Sequence, residues 1–360
     1  MILTKLDKYI IKKFLGTFVF IMVLLMSISM IFDLSEKLND FLLEGAPWSE
    51  IFFTYYSNFF IFYGFQFIYL INFISVIWFT SKLAGNSEII PILSAGVSFQ
   101  RFLRPYFISS AILVVVTILM TNYVLPESNK KRLAFETMYY RNYESRLNER
   151  AVVAEGEVLY FRQYEPKSNE VRNFYLQKWN DTWDSLEYEM ESIVAKGDSL
   201  SNFWHFDRYT IRRIGPFHDN LQFGKNCDTT LNFSMGDLVF KTNVIESMNN
   251  RELNEFIEKE KAKGSDKVPR YLIEKYKRLA SPFAIFILTL IGVSVSSKKV
   301  RGGLGLNIAI GLVFAMLYIF SMQITTVAAI KVGFTPFLAV WLPNIIFGII
   351  AVIMYRIAPK

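Results

Sequence analysis

The sequence predicts an α-helical membrane protein: three transmembrane helices, an inserted all-β domain outside the membrane, then three more helices. Three observations carry that prediction. Residues 14–32, 51–80, 105–126, 279–297, 302–330 and 336–355 contain no Asp, Glu, Lys or Arg, and apolar runs of that length can cross a bilayer. The intervening stretch 127–270 holds 22 Lys+Arg and 24 Asp+Glu, the density of a water-exposed domain. The rest of the chain keeps 17 basic against 8 acidic residues, gathered in the short connections, where positive charge fixes orientation. A soluble enzyme, a disordered chain and a disulfide-stapled secreted module are excluded. The net charge of +7 does not indicate nucleic-acid binding, because the soluble part is not basic.

Each element follows in order. The first run, preceded by Lys5, Lys8, Lys12 and Lys13, is too long for a cleavable signal and lacks a small-residue cleavage pattern after it. The second, 30 residues, would make a helix of ~45 Å and is expected to tilt or to extend beyond the outer leaflet. Lys82, Arg101 and Arg104 lie between the second and third runs, Lys298, Lys299 and Arg301 between the fourth and fifth, and Arg356 and Lys360 at the end. With the N-terminal lysines they make 12 basic residues against Asp7 and Glu88, which puts both termini in the cytoplasm. Asp33, Glu36, Asp40, Glu44 and Glu50, with Lys37 the sole basic residue among them, then face outward, as does 127–270. The expected organisation is 1–126 with a cytoplasmic helix at about 86–98, a β domain over 127–270, and 271–360.

Strict alternation in Leu186-Glu187-Tyr188-Glu189-Met190-Glu191 marks a strand with one wet face. Trp204–Asp207, Val158–Phe161 and Asn173–Leu176 read as further strands, with turns at Lys196-Gly197-Asp198 and Gly215-Pro216. Many short strands suggest a sandwich or jelly roll. Asn250–Lys263 reads as a helix with Leu253, Phe256 and Ile257 on one face.

Catalytic signatures are missing. There is no G-x-x-x-x-G-K-[ST] phosphate loop and no G-x-S-x-G elbow. His205 and His218 are the only histidines and Cys227 the only cysteine, too few for a metal cluster. Proton- and ion-coupled carriers place charged groups inside the bilayer; here Asn58, Gln66, Asn72, Asn122, Asn307, Gln323 and Asn344 are the strongly polar residues of the spans, and amides there more often join helices. Energy for transport would therefore come from a separate subunit.

The connection Gly85–Ser98 is where such a subunit would dock. Asn86 can cap a helix, Glu88 favours its N-terminus and Gly96 can end it. The bland reading is an amphipathic interfacial helix; the functional one is a short helix presented to a partner's groove.

Leu6-Asp7-Lys8-Tyr9-Ile10, Asn86-Ser87-Glu88 with Ser94-Ala95-Gly96-Val97-Ser98, Leu272–Phe283, Gly333-Phe334-Thr335-Pro336 and Trp341-Leu342-Pro343-Asn344 together resemble the LptF/LptG permease family, slightly closer to the LptG branch. The resemblance implies a β-jelly-roll outer domain and the permease half of an ABC-type exporter in the inner membrane of a Gram-negative bacterium. It further implies a second, paralogous permease or second copy, a cytoplasmic ABC ATPase dimer that binds the ATP and Mg, an LptC-like bitopic protein, a periplasmic bridge and lipopolysaccharide as substrate. This chain itself would carry no cofactor. Ser87, Glu88, Ile92, Leu93 and Gly96 would form the ATPase-coupling element, with Glu88 accepting a charge-assisted hydrogen bond. Acyl chains would sit against Met22, Met26, Met30 and Phe32 of the first span and Leu317, Phe320 and Ile324 of the fifth, with Lys37 meeting a phosphate ~1.5 turns beyond Phe32.

Two features depart from the family. Pro91 falls inside the coupling helix, where an interior proline costs ~3 kcal/mol unless it lies in the first turn. Lys37 stands among Asp33, Glu36 and Asp40 where relatives often carry several basic residues, so the headgroup is less anionic or the partner permease supplies the positive charge. The alternatives are a permease for another envelope lipid or lipoprotein, and a non-transporting anchor with an outer β binding domain.

Overall fold

The computed structural model describes residues 4–139, 146–154, 156–165, 168–180, 182–197, 201–235, 245–262, 264–265, 267–298 and 303–358. Lys299, Arg301 and Lys360 of the basic count, Lys263 and Asp198 lie outside these. The chain divides into two compact units, Met1–Arg132 with Pro269–Lys360, and Leu133–Val268.

Among the described residues, six helical stretches are long and apolar enough to cross a membrane. Helix α1 (Lys5–Leu43) begins at a capping box: the Thr4 hydroxyl accepts from the Asp7 N–H and the Asp7 carboxylate accepts from the Thr4 N–H, which satisfies two otherwise unbonded donors. It runs 39 residues without a break. A short turn α2 (Trp48–Glu50) and a π-helical turn Ile51–Tyr56 lead into α3 (Ser57–Gln66), and α4 spans Ile68–Gly85. The second apolar run is thus not one long tilted helix. It breaks at Phe67, whose ψ of 16° is not helical. The excess length is taken up by that break, and α4 alone, ~27 Å at 1.5 Å per residue, matches a hydrocarbon core.

After the short helix α5 (Ile89–Ser94), α6 (Phe99–Leu119) passes through a second π-helical turn, Met120–Val124, into α7 (Leu125–Tyr139). Beyond α8 (Asn250–Ala262) of the second unit come α9 (Val268–Ser296), α10 (Gly303–Lys331) and α11 (Pro336–Ile357). Helix α4 is central, packing against α1 and α10. Glycine permits close crossings: a Cβ on Gly292 of α9 would lie 2.8 Å from Val76 of α4, and one on Gly311 of α10 would collide with Ile77. Amides join the helices as the sequence suggests. Asn72 donates to Thr289 at 2.9 Å, Asn307 to Ser81 at 2.9 Å, and Asn344 takes the Tyr318 hydroxyl at 2.7 Å while donating to the Ala280 carbonyl at 3.2 Å. Asn58 and Asn122 instead bond back to their own helices.

The second unit is built on an antiparallel sheet of six strands, β1 (Arg146–Ala154), β2 (Glu157–Glu165), β3 (Glu170–Trp179), β4 (Leu186–Gly197), β5 (Phe203–Arg213) and β6 (Asn220–Thr230). Each strand pairs with its sequence neighbour, so the inserted β class is as predicted, and the described strands form a meander without the crossover of a Greek key. At Asn173, φ 52°, the inward face steps from Val171 to Phe174 while the register with both neighbours is kept; the register shifts instead between Val152 and Ala154 of β1 and between Lys178 and Trp179 of β3, where an irregularity bends a strand. The sheet closes over Phe161, Phe174, Trp204 and Phe206, and the Trp204 indole donates to the Phe233 carbonyl at 3.0 Å. Lys196 and Gly197 are strand rather than turn. Gly197 lies opposite Trp204, where a Cβ would press on Met235 and the indole at 3.1 to 3.2 Å. In α8, Leu253 and Ile257 are buried and Phe256 half-buried.

Candidate functional site

Two features of the helical unit collect the residues singled out in the sequence. The first is the connection between α4 and α6. Asn86 does not cap α5; it closes the C-terminus of α4, and Glu88 takes the N-cap position. Between them Ser87 adopts φ 57°, a left-handed conformation that costs a non-glycine residue ~1–2 kcal/mol. Gly96, φ 84°, ends the segment, and the Ser98 hydroxyl accepts the Arg101 N–H at the start of α6. Pro91 is the third residue of α5. Its missing N–H is one that has no intrahelical acceptor in any helix, so the proline is accommodated without cost and the helix begins later than Asn86.

Side chains of α5 divide by face. Ile89 is buried in a cluster with Ile10 and Phe14 of α1, Leu83 of α4 and Phe102 of α6. Ile92 and Leu93, at i+3 and i+4, are half-buried against the same cluster. Ile90, Pro91, Ser94 and Ala95 are exposed. The face open to a partner is therefore the one bearing Ile90 and Pro91, and Ile92 and Leu93 support it from below. The Glu88 carboxylate receives the Asn86 amide at 3.1 Å and the Tyr9 hydroxyl at 3.4 Å. Close by, Arg101 forks onto Asp7, each terminal nitrogen 2.6 Å from one carboxylate oxygen. Asp7, Tyr9 and Arg101 escaped the functional reading of the sequence. A Thr-x-x-Asp spacing such as Thr4–Asp7 suits a helix start, but nothing local ties Asp7 to a residue 94 positions away.

The second feature is the pair of faces on α1 and α10. Phe32 is 73% exposed and Phe320 61%. Leu317 and Ile324 are exposed beside Phe320, and Met30 is half-buried. Along α1 the same open stripe includes Phe20, Leu24, Ile28 and Ile31, a helical period of apolar residues. Met22 and Met26 are not part of it. Both are buried, and Gly64 of α3 makes room for them, since a Cβ there would lie 2.6 Å from the Met22 methyl. Lys37, only 12% exposed, is bonded to Asp33 at 2.6 Å and to the Tyr55 hydroxyl at 2.6 Å, and lies over the Tyr55 ring. Asp33 also accepts from Tyr55 at 2.9 Å and from Tyr56 at 3.3 Å. The charge of Lys37 is thus already balanced by its neighbour one turn back.

These features define a multi-pass membrane protein with an inserted β domain, open apolar faces on several of its spans, α1 and α10 among them, and a short helix exposed in the connection between two others. The family described as lipopolysaccharide export system permease LptF/LptG matches residues 8–357. The chain belongs to that family, and so to the permease subunits of lipopolysaccharide export, which are multi-pass proteins of the inner membrane and not enzymes. A comparison with curated protein sequences gives no match.

Proposed function

We propose that this chain is one permease of an ABC-type complex that takes lipopolysaccharide from the outer leaflet of the inner membrane and hands it to a periplasmic bridge. The exposed apolar faces of α1 and α10 carry the reading. In their most apolar windows only 28% and 22% of residues are buried, as open as the Phe99–Tyr139 span at 22%, against 67% in α4. On a membrane span such a face meets lipid or a neighbouring helix, and in a lipopolysaccharide export permease it offers acyl chains and a second permease a common wall. Both termini and the α5 connection lie in the cytoplasm on this reading, where the Ile90–Pro91 face meets the ATPase dimer that holds ATP and Mg. Glu88 accepts a basic residue of that ATPase. The β domain, with an LptC-like bitopic protein, continues the path outward.

Lys37 contributes to headgroup recognition only by exchanging Asp33 for a phosphate, so the partner permease supplies most of the positive charge. Purification in mild detergent tests the whole reading. Co-purification of a second permease and an ATPase, with lipopolysaccharide as the enriched lipid by mass spectrometry, is the expected result. Recovery of a different lipid would establish the alternative substrate, and recovery without an ATPase would make the chain an anchor.

A further inference from the structure

We propose that α1 is moved through its first two turns by the coupling connection, with Asp7, Tyr9 and Arg101 as the link. The inference rests on reading α5 as the ATPase-docking element and adds how a push there would reach the lipid-facing span.

Both flanks of α5 are fastened to α1. On the N-terminal side, Tyr9 donates to Glu88 at 3.4 Å. On the C-terminal side, Arg101 holds Asp7 by two hydrogen bonds of 2.6 Å and reaches the Thr4 hydroxyl at 3.3 Å. Between these, Ile89 is buried in the same apolar cluster as Ile10 and Phe14. The contacts differ in strength. The Tyr9 bond is long, whereas the fork on Asp7 is bidentate and charge-assisted, a geometry that fixes direction as well as distance. The Asp7 side chain is only 4% exposed. Separating it from Arg101 would leave a carboxylate buried without its cation, which is far more costly than breaking an exposed pair. The start of α1 therefore cannot be left behind when the connection shifts.

What α1 does with that motion follows from its continuity. Lys5–Leu43 is one helix, and Phe32 lies ~38 Å along it from Asp7 at 1.5 Å per residue. A tilt imposed at Asp7 is carried as a rigid lever to the open face at Phe32. Helix α4 offers no equivalent route: although it enters the connection directly, most of its span is buried among neighbours. Asp7 and Arg101 are positioning residues on this account and touch neither ATP nor lipid.

The test uses the reconstituted export complex in proteoliposomes and reads lipopolysaccharide released per ATP hydrolysed. Arg101→Gln should assemble with a normal amount of ATPase and still hydrolyse ATP, while the ratio falls about tenfold, the size expected for one hydrogen bond to a charged group. Arg101→Lys keeps the charge without the fork and should recover part of the ratio, and Asp7→Asn should match Arg101→Gln. An unchanged ratio in Arg101→Gln would overturn the link, as would a fall that only tracks loss of bound ATPase, which a merely structural role would give. Glu88→Lys separates the two levels. If that complex retains its ATPase and exports normally, docking at α5 is wrong and the inference fails with it; if Glu88→Lys uncouples and Arg101→Gln does not, the link alone is wrong.

Discussion

Helices α4 and α10 are both apolar spans, and they end in opposite environments. The most apolar window of α4 is 67% buried; that of α10 is 22% buried, although its hydropathy of 2.1 exceeds the 1.4 of α4. Hydropathy therefore places a helix in the membrane without saying whether protein or lipid surrounds it. The difference is made by small and polar residues. Helix α4 is held by Asn72 to Thr289, by Ser81 to Asn307 and by the close passage of Gly292 beside Val76. On α10 the residues that bond inward, Asn307 and Tyr318, lie on one stripe, and Leu317, Phe320 and Ile324 are left on the other. In lipid no hydrophobic force drives helices together, so packing and interhelical hydrogen bonds decide.

The largest effect that would sharpen this contrast comes from filling the α4–α9 crossing. Gly292→Leu must displace Val76 and Phe73, and a loss of about 3 kcal/mol is expected for overpacking, read as a collapse of folded yield and melting temperature in detergent. Gly305→Leu, at a position of α10 with nothing within 4 Å, should instead be neutral or raise stability by up to ~1 kcal/mol through helix propensity. Equal losses in the two variants would erase the distinction.

A smaller effect is expected at Asn72. Its amide nitrogen donates to the Thr289 hydroxyl and, more weakly, to the Ile285 carbonyl, but its carbonyl oxygen is buried without a partner among the described residues. Asn72→Leu removes two donations to α9, to the Thr289 hydroxyl at 2.9 Å and, at a long 3.5 Å, to the Ile285 carbonyl, together worth about 1 kcal/mol in a membrane, and also removes an unsatisfied acceptor, which offsets part of the loss. Thermal unfolding of the purified protein should therefore shift only slightly, and a large shift would mean that Asn72 holds more than these two donations supply.

How much of this was legible in the sequence follows the same division. Charge-free runs gave the six spans, because excluding Asp, Glu, Lys and Arg is a local property of each segment. The amides were legible as helix joiners, but their partners were not: Asn72 and Thr289 are 217 positions apart. The break at Phe67 carries no proline and no polar cluster, so a single helix over 51–80 was the natural reading. On α1 every side is apolar, and the sequence could not tell that Met22 and Met26 face Gly64 while Phe32 faces outward. Asp33 and Lys37 stand four residues apart, a spacing that brings two side chains together on one helix face, yet the Tyr55 hydroxyl that joins them comes from another element. Pro91 was legible as a first-turn proline once the helix start was placed after Glu88.

The open and buried faces can be compared directly by photocrosslinking in an actively exporting complex. A crosslinker at Phe32 or Phe320 should trap lipopolysaccharide, whereas one at Val76 in the α4 core, or at Glu189 on the outer sheet face, should not. Absence of lipid adducts at both Phe32 and Phe320, with export intact, would contradict the assignment of these faces to the substrate.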